Sequence, residues 1–167
     1  MNCKLLLSFI LVVPCSLVQA SDIDINPSFT GRVIETDSKI IVEGGTFIMN
    51  SDTSSAIKLN KGSHKEVVIS NVRVLSNNQN LQDSRGMAGV IVIDNSSSTT
   101  KVTVRNIGIA ARNATVSSQS QGGSACAGVV CIDAGIHDNV GSVAVMATGQ
   151  TNISATQGVR PDYRKIK

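Results

Sequence analysis

The chain has 167 residues, with 15 Lys and Arg against 12 Asp and Glu, 41% hydrophobic residues and only 2% aromatic. A balance this near neutral gives no case for a nucleic-acid partner, and the length suits one domain. The chain has no Trp, which leaves few ring faces on which a carbohydrate module could stack sugars.

The first segment in chain order has the layout of an export leader: Lys4, an apolar run from Leu5 to Val13, then Val18, Gln19 and Ala20 ahead of Ser21. The reading is a signal peptide over residues 1–20, cleaved after Ala20. The run is shorter than the roughly 20 residues that span a bilayer and Pro14 interrupts it, which argues against an anchor. Proline before Cys15 argues against a lipoprotein. Cleavage removes Lys4 alone among charged residues, leaving 14 basic against 12 acidic. No later stretch is apolar enough to cross a membrane, so the expectation is a secreted, periplasmic or cell-surface protein.

Residues 21–155 form the expected domain. Its front, "DIDINPSFTGRVIETD", reads as a cap segment, because Pro27 lacks a donor and blunts a sheet edge. From there on helical periodicity is almost absent. Val, Ile and Thr alternate with polar residues in short runs bounded by Gly, Asn and Ser, which is the strand signature. Three runs share one pattern: "KIIVEGGTFIMN" from Lys39, "EVVISNVRVLSN" from Glu66 and "KVTVRNIGIAAR" from Lys101. Each has a charged start, apolar second and fourth places, Gly or Asn at the sixth and an apolar ninth. A looser copy, "SVAVMATGQTNI", starts at Ser142. Short runs precede the later copies: "AIKLN" from Ala56, "GVIVID" from Gly89 and "GVVCID" from Gly128. The starts at 39, 66, 101 and 142 are unevenly spaced, as loops of unequal length between fixed rungs would make them. Two of those loops, 76–88 and 112–127, are rich in Ser, Asn and Gln, and loops of such length tend to be functional or disordered. The end of the chain, 156–167, is a basic tail with Arg160, Arg164, Lys165 and Lys167.

The sixth position, Gly44, Asn71 and Asn106, holds residue types that tolerate a left-handed backbone at low cost. One such residue turns a strand sharply without reversing it, and the inward set resumes beyond it. Stacked about 4.8 Å apart in successive repeats, Asn71 and Asn106 would bond along a ladder. On these residues the sequence resembles the right-handed parallel β-helix, the pectate-lyase-like superfamily. The resemblance implies an all-β fold of about four coils, with "AIKLN", "VIVID" and "VVCID" as first strands, "EVVIS" and "KVTVR" as second, and "VRVL" and "IGIA" as third. The alternative is a β-sandwich of meandering hairpins; the two-residue hairpin turns it needs are missing.

The resemblance also says where an enzyme of this kind carries its chemistry: on the outward face of the first strand. Alternation sends Lys58, Val92 and Cys131 outward, and these make no acid–base site. At the end of the same strand Asn60, Asp94 and Asp133 form a column. Two carboxylates about 4.8 Å apart repel by roughly 1 kcal/mol in water and about 3 at the effective dielectric of a protein surface. Such a pair can share a proton, hold calcium, or simply cap strand ends as turn-forming, solvated aspartates. His137, beside Asp138, stands close enough in sequence to join Asp133. The Gly-His-Gly of the galacturonan hydrolases is absent, and "RKIK" lies beyond the last coil. Cys126 and Cys131 are an even, closely spaced pair in an oxidising compartment, which favours a disulfide. His64 and His137 lie far from both cysteines, so no zinc site is read.

The expectation is an exported, non-enzymatic surface, adhesion or assembly protein. Its partners would be a polysaccharide or cell-surface component, or further copies joined through exposed strand edges at the ends of the stack. The competing reading is a truncated polysaccharide-active lyase or hydrolase using Asp94 and Asp133. Asn95, Asn113 and Asn152 head N-x-[ST] sequons.

Overall fold

The computed structural model describes residues 23–60, 64–83, 87–95, 98–118, 126–133 and 138–155. The leader, the basic tail and His137 lie outside the described residues. The described chain is all-β. In chain order its strands are β1 (Ile23–Ile25), β2 (Arg32–Thr36), β3 (Lys39–Asn50), β4 (Ile57–Leu59), β5 (Glu66–Asn77), β6 (Asn80–Asp83) and β7 (Met87–Asp94). They continue as β8 (Lys101–Arg112), β9 (Thr115–Ser118), β10 (Cys126–Asp133), β11 (Asn139–Val140), β12 (Val143–Thr148) and β13 (Asn152–Ala155).

Three sheets result, none of them closed: β1-β4-β7-β10, then β11-β8-β5-β3-β2 with β12 also on β8, and β13-β9-β6. Strands one repeat apart pair in parallel. Lys39, Glu66 and Lys101 stand in one row and Phe47, Val74 and Ile109 in another. A hairpin meander would pair neighbours antiparallel. Among the described residues only β1 on β4 and β2 on β3 do so, both at the front of the domain.

The three long strands occupy the residues whose pattern predicts them, and the bend falls where expected. Gly44, Asn71 and Asn106 have φ of 51°, 55° and 54°, and Asn106 Nδ2 donates to Asn71 Oδ1 at 3.1 Å. Seven residues further on, a second corner recurs at Ser51, Asn78 and Asn113, with φ of 58°, 51° and 52°. Here Asn113 Nδ2 donates to Asn78 Oδ1 at 3.3 Å. This corner sends the chain into β6 and β9, so the segments 76–88 and 112–127, read from sequence as loops, carry strands of a third sheet.

The fourth copy is displaced from its expected frame. Val143 pairs with Ile107, beyond the corner, while Asn139 and Val140 pair with Thr103 and Val104 before it. The turn is made at Gly141–Ser142, where Gly141 N–H bonds the Val104 carbonyl and Ile107 N–H the Ser142 carbonyl.

Inward residues of all three sheets build one core. Ile40, Val67, Val102, Phe47, Val74, Leu81, Ile91 and Val116 are each at most 2% exposed. At its front Phe29 stacks on Phe47, ring centroids 4.5 Å apart, and Asn26 N–H bonds the Ala56 carbonyl. The opposite end is less covered. Val143 and Val145 are half-buried, although Ile107 and Ile109 beside them are fully buried. Among the buried polar side chains, Ser76 and Gln79 satisfy each other: Ser76 Oγ donates to Gln79 Oε1, and Gln79 Nε2 donates to the Ser54 carbonyl at 3.0 Å. Both side chains are at most 1% exposed, and the mutual bonds are what make their burial tolerable.

Candidate functional site

Strand alternation assigns the outer face of the first sheet, and register assembles it into rows. One row is Asp24, Lys58, Val92 and Cys131; Asp94 and Asp133 face each other in another, with Asn60 beside Asp94. The sequence-predicted column is therefore brought together, both aspartates half-buried at adjacent strand ends. Asp138 turns away and braces the backbone: its Oδ1 accepts from Val102 N–H at 2.9 Å and from Asn95 Nδ2 at 2.8 Å. His64 lies apart, its Nε2 3.4 Å from Glu35 Oε1. Among the described residues no group of three or more His, Cys, Asp or Glu is gathered to hold a metal ion. Two aspartates alone fall short of the about six to eight oxygens that calcium takes.

The other row departs from expectation. Val92 and Cys131 do point away from the main core, yet each is 0% exposed. They form a second apolar cluster with Cys126, against which Met87 packs. The cause is a fold within the strand itself. Val90 and Ile91 both enter the main core, and the pairing of β7 with β10 skips Val90 and Val129. Alternation breaks at Val90–Ile91 and Val129–Val130, and just before it the two strands run so close that a Cβ on Gly89 would stand 2.7 Å from the Gly128 carbonyl oxygen. Five residues of straight strand span about 16 Å, whereas the Cα atoms of Cys126 and Cys131 are 6.2 Å apart and a disulfide joins the pair. In β7 the same two places are taken by Met87 and Val92. A crosslink in one repeat thus replaces an apolar contact in the repeat before it.

In the first repeat the place of Val92 belongs to Lys58, and a cleft opens there. Its volume is about 390 Å³, with Asp24, Asn26, Ser55, Lys58 and Asp83 among its walls. Lys58 Nζ lies 3.0 Å from Asp83 Oδ2, and Asn60 Nδ2 donates to Asp24 Oδ2 at 3.4 Å. Sequence reasoning missed Asp24 and Asp83, because one lies on the front segment and the other on a strand with little alternation. Chemically the cleft offers an ion-paired lysine and hydrogen-bonding groups, a lining that suits polar ligands.

The sequons fare differently. Asn95 is 1% exposed, with its amide nitrogen donated to the Thr100 carbonyl at 2.7 Å and to Asp138. Its place inside the fold excludes a glycan. Asn113 and Asn152 are exposed.

No protein-family model, curated protein or solved structure matches this chain.

Proposed function

We propose that the chain folds as a small right-handed parallel β-helix of about four coils, similar in architecture to the pectate-lyase-like superfamily, and works as an exported, non-enzymatic surface, adhesion or assembly scaffold. Support for the architecture comes from the order in which the chain revisits three sheets, one parallel strand per repeat, with recurring corners between them. The observation that carries the function is the fate of the outward row on the first sheet. Val92 and Cys131 are buried in packing and a disulfide, and Lys58 is paired with Asp83. A face committed to holding its own shape is that of a scaffold. The disulfide fits an oxidising compartment outside the cytosol.

The second reading, a truncated lyase or hydrolase, draws on one fact: Asp94 and Asp133 are register neighbours. Self-association through the stack draws on the half-buried Val143 and Val145 at the later end, since unfilled strand edges invite pairing. Incubation of the purified chain with acidic and neutral polysaccharides separates these readings. The scaffold gives no product release. Release that disappears in Asp94→Asn with Asp133→Asn would establish the enzyme, and a rise of scattering mass with concentration would establish assembly.

A further inference from the structure

Beyond the corner residues, β3, β5, β8 and β12 turn one face outward, and its composition differs from the rest of the surface. Register aligns Ile48, Leu75, Ala110 and Met146 as one row across four strands. Ile48 is 53% exposed, Leu75 44% and Met146 66%. A contiguous apolar row of this kind marks an interaction surface more often than a chance one. The rows on either side are Thr46, Arg73, Gly108 and Ala144, and Asn50, Asn77, Arg112 and Thr148. None of these positions carries a carboxylate. Arg73 and Arg112 are exposed, and neither forms an ion pair among the described residues.

The face also has relief. Leu75, Met146 and Arg73 flank Gly108, Ala110 and Ala144 around an open hollow of about 340 Å³. Gly108 is part of its lining, and the fold does not need a glycine there. Its φ lies outside the left-handed region and a Cβ would meet nothing within 4 Å. An outward strand position ordinarily favours a β-branched side chain. Glycine here leaves room for a side chain that comes from elsewhere.

We propose that this face docks an extended protein segment that presents an apolar side chain between two carboxylates, each two residues away. This deepens the scaffold reading and rests on it. The rows 73/108, 75/110 and 77/112 are two residues apart, about 6.6 Å. An extended segment laid along the strands puts its i, i+2 and i+4 side chains on one face at that same interval. The central side chain enters the hollow over Ala110 between Leu75 and Met146, while the outer carboxylates reach Arg73 on one strand and Arg112 on the next. Arginine beside apolar surface suits this role, because its guanidinium is weakly hydrated and binds a carboxylate through two hydrogen bonds. The room left over Ala110 between Leu75 and Met146 stands at a fixed strand spacing from Arg73 and Arg112, which fits side chains held at that same spacing along one extended chain, so the observations point to a protein segment.

The test uses the isotope-labelled mature chain and the capped peptide Thr-Glu-Thr-Leu-Thr-Glu-Thr as probe, followed by amide shift changes. Expected are shifts confined to residues 73–75, 108–112 and 144–148, weakened at least tenfold by Arg73→Glu and by Arg112→Glu. Gly108→Val fills the hollow and abolishes them while the melting temperature stays level or rises, which separates blocked docking from lost folding. Absence of any shift, equal shifts with a peptide carrying Lys for Glu, or an unaffected Gly108→Val would overturn the proposal. So would co-sedimentation with phosphatidylglycerol vesicles in place of peptide binding, which would assign the face to membrane. Polysaccharide product release would sink the scaffold reading without moving the peptide shifts, so the two failures are distinguishable.

Discussion

Replacing Cys126 and Cys131 tests the strand fold directly. The two residues are five apart in sequence and their Cα atoms 6.2 Å apart across the break at Val129–Val130. In an unfolded flexible chain the same span averages about 12 Å, so the bond removes conformations that the free chain would otherwise sample. For a closed loop of about six residues, the loop-entropy relation gives roughly 7 cal/mol/K, or about 2 kcal/mol at 25 °C. At about 2–4 °C per kcal/mol for a chain near this size, the melting temperature should fall by roughly 4–9 °C. Two double variants divide this from packing. Cys126→Ala with Cys131→Ala loses both the crosslink and the buried sulfur contacts. Cys126→Met with Cys131→Val copies Met87 and Val92 of the preceding repeat and loses the crosslink alone. The Met/Val pair should therefore fall by about 2 kcal/mol in urea unfolding and become insensitive to reductant, with the Ala pair lower still. A wild-type midpoint unmoved by reductant, or a Met/Val pair as stable as the oxidised protein, would refute the reasoning.

The remaining expectations concern single sites. Asn106→Ala places a Cβ residue without a polar tip at φ 54°; it should cost about 1–2 kcal/mol for the left-handed backbone and about 1 more for the lost bond to Asn71. Asn106→Gly keeps the backbone and should cost only the latter, so equal losses in chemical denaturation would remove the case for a conformational corner. Gln79→Ala leaves Ser76 and the Ser54 carbonyl without their buried partner and opens a cavity, with an expected loss of about 2–4 kcal/mol. Titration of Asp94→Asn with Asp133→Asn should give the same calcium response as the parent by calorimetry. A calcium response that the parent gives and the variant lacks would return the column to candidacy as a site.

The long strands and their corner were legible because the signals are local. Val102 and Val104 against Ile107 and Ile109 alternate along the chain, and Asn106 tolerates a positive φ whatever surrounds it. The second corner was visible in principle, since Asn78 and Asn113 follow Asn71 and Asn106 by seven residues. The strands after it are only four residues long with a single apolar core residue apiece, Leu81 or Val116, which is too short for alternation to register. The register of the last copy was not legible either. "SVAV" satisfies the pattern in two frames, and pairing with Ile107 decides between them.

By itself, then, the sequence determined an all-β chain with repeating bends, because alternation and left-handed tolerance belong to each residue and its neighbours. Tertiary structure alone decided that Val92 and Cys131 are buried, that Lys58 meets Asp83, and that Ile48, Leu75 and Met146 line up exposed beside two exposed arginines. Those outcomes depend on which residue a strand finds opposite it, and that is set by pairing across 25 to 40 residues of intervening chain, a relation no local pattern carries.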